Sequence, residues 1–296
     1  MRHHRLPCAR IALAAALLAA LASCAISSSM MGSALSGKQI TQVVSAPDRT
    51  AADRTNDLRR KPDQVLAFIG IKPGMKALDV STGGGYTTEL LARAIGPSGA
   101  VWAQARPPVA DAPRPSAPEG AAGLPAELRA ASAPAAASAP PRPRTAADAI
   151  ADRSRRLQDA HVAAAPIVFV AQPFDNPVPA ELADGKLDLV TLMFNYHDFG
   201  WMGVDRAAMN RAVFRALKPG GLFVIADHAG RPGTGIGEAG TLHRVEESFV
   251  RAEVEAAGFR LAEEGNFLRN PADPRDQNTP NPPQPKDEFV LKYVKP

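Results

Sequence analysis

Two runs constrain this chain more than any others: LDLVTLMF at 187–194 and GLFVIA at 221–226 are apolar almost throughout. A strand with no polar alternation must be covered on both faces, and that is the condition of a parallel sheet between helical layers. The spacing around them agrees. A helix is predicted from Pro62, with Val65, Leu66, Phe68 and Ile69 on its apolar face and KPG at 72–74 closing it. Strand 76–80, helix 85–95, strand 100–104, helix 146–160 and strand 167–171 follow; helix 205–217 separates the two runs, and helix 245–257 comes after them. Strands alternating with helices predict a doubly wound α/β domain. The last two strands, in RLAEEGNFL and EFVLKYV, have no helix between them, which predicts an antiparallel hairpin at one edge of a mostly parallel seven-stranded sheet.

The N-terminus reads differently. A basic start, MRHHR, leads into an apolar run at 11–21 that is too short to span a bilayer comfortably, followed by small residues ending at Cys24. This is the layout of an export signal over residues 1–23. The junction LASC at 21–24 resembles the bacterial lipobox, which implies that Cys24 is lipidated and tethers the chain to the periplasmic face of a membrane; a plain signal peptide, giving a periplasmic protein, is the alternative. The only cysteines are Cys8 and Cys24, so removal of residues 1–23 leaves no thiol for a disulfide, metal cluster or nucleophile. The formal charge is +4, of which Arg2, Arg5 and Arg10 supply three, leaving +1 after removal. That balance offers no basic footprint for nucleic acid.

Residues 25–50 read as a tether and 51–296 as the folded domain, with two interruptions. In 106–145, 23 of 40 residues are Ala or Pro and none is aromatic, too little to order itself. It is either a lid over a crevice or an idle insertion, the latter favoured because loops accept length cheaply. The stretch NPADPRDQNTPNPPQPKDE between the edge strands is read the same way.

In an open parallel sheet, ligands lie outside the carboxyl ends of the strands. Here the first strand runs into LDVSTGGGY, whose loop comprises Asp79, Ser81, Gly83, Gly84, Gly85 and Tyr86. Gly83 and Gly85 offer permissive dihedrals and bare backbone for a ribose or amino-acid moiety to approach. A phosphate loop would need Gly-Lys-Ser/Thr, which is missing, and a dinucleotide loop would want glycine where Thr88 stands. NAD is therefore second to another nucleoside cofactor. Asp79 has a plainer alternative as a helix-capping carboxylate.

With KPGG at 218–221, EAAGF at 255–259 and the terminal hairpin, this motif resembles that of the class I S-adenosylmethionine-dependent methyltransferases. NYHDFGWMGVDRAAMNRAVFRALKPGG and ADHAGRPGTG are similar to a bacterial group of predicted secreted methyltransferases. The resemblance covers residues 60–296 apart from the insertion. It implies a Rossmann-like fold, S-adenosyl-L-methionine as cofactor and methyl transfer to a small or envelope-associated acceptor. Ser81 replaces the family's first glycine, and Ala105 stands where an acidic residue holds the ribose hydroxyls, with the amide of Gln104 beside it as a substitute. Gln172 and Phe174 fall where the family contacts the adenine, the one as acceptor and the other packing on the ring.

Methyl transfer is an in-line displacement, so the residues after the fourth and fifth strands should align the acceptor and, where a proton must leave, supply a base. These are Asn195, Tyr196, His197 and Asp198, then Asp227 and His228. His197 or His228 is the expected base, oriented by Asp198 or Asp227, with Tyr196 and Asn195 lining the methyl path. The plainer reading has both histidines satisfying loop carbonyls and Tyr196 packed with its hydroxyl paired. His243, Arg244 and Glu247 read as a solvated helix start, with completion of the acceptor pocket as the alternative. Asp198, Asp227, His228 and His243 are ligand types, but no histidine pair stands one helical turn apart, so no metal is expected, and the carboxylates make an oxygen-rich magnesium or calcium site the alternative ahead of zinc. A non-catalytic binding lipoprotein on a degenerate form of the same fold is the rival from another class, followed by a NAD-dependent oxidoreductase.

Overall fold

The computed structural model describes residues 1, 32–107, 144–278 and 284–296. The expected signal, Cys24 and nearly all of the 106–145 insertion lie outside the described residues. Among those that are described, no helix is long and apolar enough to cross a membrane.

Three helices open the fold: α1 (Gly37–Val44), α2 (Ala51–Arg60) and α3 (Pro62–Ile69). The alternation then runs β1 (Lys76–Val80), α4 (Tyr86–Ile95), β2 (Ala100–Ala105), α5 (Ala146–Asp159), β3 (Ile167–Ala171), β4 (Leu187–Met193), α6 (Tyr196–Trp201), α7 (Arg206–Ala216), β5 (Leu217–His228), α8 (Glu247–Ala256), β6 (Arg260–Gly265) and β7 (Glu288–Val294). The sheet order is β3-β2-β1-β4-β5-β7-β6. β7 pairs antiparallel with both β5 and β6, while the pairs among β1 to β5 are parallel. The expected strands and edge hairpin are present, with β7 inserted between β5 and β6.

Side-chain alternation on the sheet builds two cores. From β4, Val190 and Leu192 pack with α6, α7 and α8, while Leu189 and Met193 pack on the other face with α3 and α4. In β5, Phe223 and Ile225 join the first cluster and Val224 and Ala226 the second. β4 is buried along its whole length, as its unbroken apolar sequence requires. The strand order reverses between β1 and β4, so the crevice opens above the carboxyl ends of those two strands.

Two expectations need correcting. Residues 25–50 are not simply a tether: α1 starts at a capping box made by Ser36 and Gln39, and Ile40 is buried in the second core. Nor is the segment between β6 and β7 idle. Its Asp273 is buried against Arg244, a guanidinium with no exposed surface, at 2.8 Å, and its Asp287 pairs with Arg269 and Arg275. Arg244 also donates to the carbonyls of Ala229 and Gln277, so it belongs to the interior and not to a solvated helix start. Removing one partner of a buried ion pair strands the other charge. Asp273→Ala is expected to lower unfolding stability by about 3 kcal/mol in urea titration, against a fraction of that for an exposed carboxylate such as Asp63.

Candidate active site

The loop after β1 is held from beneath by Asp79. Its carboxylate accepts from the hydroxyls of Thr88 at 2.6 Å and Thr191 at 2.7 Å, joining α4 and β4 to β1. Burial pushes its pKa up against those hydrogen bonds. With 2% of its surface exposed, Asp79 anchors the loop from inside the fold. Gln104 acts from the neighbouring strand: its amide oxygen accepts from the Ser81 backbone N–H at 2.9 Å, and its nitrogen donates to the Gln172 carbonyl at 2.7 Å. Both ends are thus engaged and Gln104 is fully buried, so it stitches three strand ends together. Ser81 takes a left-handed conformation, φ 57°, in the place of the family's glycine.

The three glycines divide. A side chain at Gly85 would lie 2.6 Å from Ile150 Cδ1 and 2.9 Å from Arg153 Cδ, so this bareness serves the packing of α5. Arg153 Nε–H donates to the Gly84 carbonyl at 2.5 Å, while its terminal nitrogens hold Asp53 of α2 and Glu89 of α4. Gly83 and Gly84 face solvent, with nothing closer than 4.0 Å to a Cβ at Gly83 and nothing within 4 Å at Gly84. The expected ligand approach over Gly83 and Gly85 is therefore corrected to Gly83 and Gly84.

α2 rises beside this loop. The Tyr86 hydroxyl donates to Asp57 at 2.6 Å, and the Arg60 guanidinium lies 4.2 Å from the Phe194 ring centroid and 5.7 Å from that of Tyr86. Gln172 is half-buried. Phe174 packs on Phe199, ring centroids 4.5 Å apart, within the first core and not as a face open to the crevice.

A polar cluster sits at the ends of β4 and β5. Asp227 accepts from the backbone N–H groups of His197 and His228, each at 2.8 Å, and meets His197 Nδ1 at 2.6 Å. His197 Nε2 lies 3.3 Å from Asp198 Oδ1, and His243 Nδ1 lies 3.5 Å from the same oxygen. Asn195 Nδ2 and Trp201 Nε1 each donate to Asp198 at 3.0 Å. Burial works to lower the pKa of His197, but the Asp227 and Asp198 carboxylates overcome it and push it up to about 10. Burial would raise Asp198, yet the His197 contact holds it well below the usual carboxylate range. A group titrating near 10 keeps its proton at neutral pH, so His197 is not the expected base. His228 remains: its Nδ1 lies 3.0 Å from Glu288, which Arg59 pairs at 2.5 Å. Tyr196 is corrected outright, because its ring is buried on the α8 side and its hydroxyl donates to Glu253 at 2.7 Å. It lines no methyl path. Arg59, Glu288 and Arg153 were not expected here, and only the tertiary fold brings them to the crevice; His243 stands beside Asp198 as the acceptor-pocket alternative required.

Residues 46–107 match the family model described as protein-L-isoaspartate (D-aspartate) O-methyltransferase. Among solved structures, one described as a SAM-dependent methyltransferase from Aquifex aeolicus is 16% identical, covers 88% of this chain and 100% of its own, and has a TM-score of 0.51. An arsenic(III) S-adenosylmethionine methyltransferase from Chlamydomonas reinhardtii is 16% identical over 75% of this chain and 64% of its own, TM-score 0.45. Fibrillarin from Aeropyrum pernix, with S-adenosyl-L-methionine natively bound, is 15% identical over 76% and 68%, TM-score 0.39. A search of curated proteins returns no match. The Aquifex likeness bears on the fold. The matched segment carries the whole β1 loop and, with the fold, supports an S-adenosylmethionine-dependent methyltransferase with S-adenosylmethionine as cofactor. The open backbone at Gly83 and Gly84 fits that cofactor; the ribose side, with Ala105 in place of a carboxylate, lacks the charge-assisted contact.

Gly84→Val is expected to leave the melting temperature unchanged, since its side chain meets open space, whereas Gly85→Val should lower it by several degrees through collision with Ile150 and a strained φ of 75°. Calorimetry of the two variants checks this. Burial opposes ionisation of Asp53, but Arg153 holds its carboxyl below its ordinary 3.8, so its contribution is present above that value and is lost as the pH falls through the folded one. Urea titrations at pH 7 and pH 3 should show Asp53→Asn losing less stability between the two than the parent chain.

Proposed function

We propose that this chain is an exported methyltransferase, tethered through Cys24, that methylates a small or envelope-associated acceptor lying over the ends of β4 and β5. The observation that carries the reading is the juxtaposition of the bare Gly83–Gly84 backbone with the polar cluster of Asn195, His197, Asp198 and His228, on neighbouring parallel strands paired as Val80 with Leu192 and Met193 with Ala226. The apolar run at 11–21 and the LASC junction support export and tethering.

S-adenosylmethionine supplies an electrophilic methyl group when bound. The chain's own part is positional. The loop fixed by Asp79 and Gln104 presents its backbone, and Arg60 over Phe194 and Tyr86 closes the side of the crevice. Arg59 Nε and Nη2 are buried with no hydrogen-bond partner among the described residues, two donors that a ligand's carboxylate would satisfy. The protonated His197, its two ring nitrogens on Asp227 and Asp198, fixes the Asp198 carboxylate at the end of β4, while His228, held by Glu288, is the group left to take a proton. The family match ends at residue 107, ahead of every residue on the acceptor side, so its acceptor is not carried over.

Titration calorimetry of the chain lacking residues 1–23 is expected to give micromolar binding of S-adenosylmethionine and S-adenosylhomocysteine and none of NAD. Gly84→Val should weaken both by at least tenfold. Silence for both methionine derivatives would favour the non-catalytic binding lipoprotein. With an acceptor in hand, His228→Ala should lower turnover while leaving cofactor affinity unchanged; unaltered turnover would reject the base role. Export and tethering are checked by fractionation, in which Cys24→Ser should move the chain from the membrane pellet to the soluble fraction.

A further inference from the structure

The cluster after β4 contains more than an acceptor contact requires. His197 Nε2, Asp198 Oδ1 and His243 Nδ1 come from two separate segments and lie within 4.8 Å of one another. The two histidine nitrogens stand 3.3 and 3.5 Å from the shared carboxylate oxygen. Ligand atoms bound to a tetrahedral zinc ion at its usual 2.0–2.2 Å are separated by about 3.3–3.6 Å, so the spacing is that of a triad drawn around one small cation.

Three further features match a ligand set. The Asp227 carboxylate lies 2.6 Å from His197 Nδ1, the outer partner that fixes ring orientation and leaves the other nitrogen to a metal. Asp198 is itself held by Asn195 and Trp201. His243 adopts φ 51°, a conformation that costs a non-glycine residue energy and turns its ring edge-on to His197, with centroids 5.6 Å apart and planes at 86°. The side chains of Asp198 and His243 are 20% and 15% exposed, which leaves the cluster reachable from solvent.

We propose that His197, Asp198 and His243 form a binding site for a divalent first-row transition ion of the zinc type, with Asp227 as the positioning residue for His197. Two imidazoles and one carboxylate suit such an ion and not magnesium, which takes oxygen ligands. The sequence concealed the site because its histidines are 46 positions apart and only the loop before α8 brings them together. Binding displaces the proton that His197 otherwise shares with Asp198. One consequence rests on the methyl-transfer reading above: an ion here would hold an acceptor hydroxyl or thiol as its anion and remove the need for a protein base. Binding itself does not rest on that reading.

The test uses the full chain with His3→Gln and His4→Gln, so that the N-terminal histidines do not contribute, and needs no methyl donor. Chelator-stripped protein is titrated with Zn²⁺ by calorimetry and with Co²⁺ by visible absorption. The expected result is one Zn²⁺ per chain at micromolar affinity or tighter, with Co²⁺ giving the intense visible bands of a low-coordinate site. His243→Ala should weaken Zn²⁺ binding at least tenfold and abolish the bands while circular dichroism stays unchanged; Asp227→Asn should cost about 10–100-fold. Absence of micromolar binding in the parent chain, or binding unaffected by His243→Ala, would overturn the proposal and leave the cluster as a protonated histidine between two aspartates.

Discussion

A single dehydrated carboxylate, Asp79, sets the geometry on which the rest depends. Its two oxygens take the hydroxyls of Thr88 and Thr191, so the end of β1, the first turn of α4 and the adjacent β4 move as one piece. Leaving either oxygen unpaired would cost the full penalty of a buried polar group, which keeps the three elements in register. The loop after β1 is thereby clamped at its base and bare of side chains at its crest. The clamp is polar and internal, and the crest is bare backbone. This division explains how a chain with serine at the family's first glycine still presents an open face: the left-handed turn at Ser81 is held by the Gln104 amide.

The second constraint is Arg153, whose guanidinium spans α2, α4 and the Gly84 carbonyl. α2 carries almost no apolar surface, so it docks through charge: Asp53 on Arg153, Asp57 on Arg49 and Arg59 on Glu288. Its docking brings Arg59 and Arg60 to the rim of the crevice. Breaking a partly buried pair of this kind costs more than breaking a surface one, because the charge left behind has little solvent to fall back on. The same logic governs the far wall, where Arg244 and Asp273 fix the loop that carries His243.

Legibility followed periodicity. β4 and β5 were readable because an unbroken apolar run has few other uses, and the glycine loop because backbone freedom is written in residue type. α1 and α2 were not readable as packed elements, since AADRTNDLRR shows no apolar stripe and its partners lie up to 229 positions away. Tyr196 was misplaced for a related reason: sequence puts it beside His197, but one residue along a short helix points a side chain in another direction, here to Glu253. The roles within Asn195 to Asp198 depend on which carboxylates converge, and Asp227, Glu288 and His243 arrive from elsewhere in the chain. Gly85 taught the reverse lesson. Its bareness was read correctly as a demand for close approach, but the element that approaches is α5.

The central claim is that the exposed Gly83–Gly84 backbone is where the adenosyl cofactor lies. A crystal structure of the chain grown with S-adenosylhomocysteine tests it most directly. The account predicts the ligand in van der Waals contact with Gly83 and Gly84, its sulfur toward Asn195 and the ends of β4 and β5, with Arg153 still bonded to the Gly84 carbonyl. Ligand found elsewhere on the fold, or a loop that must shed Arg153 to admit it, would contradict the account.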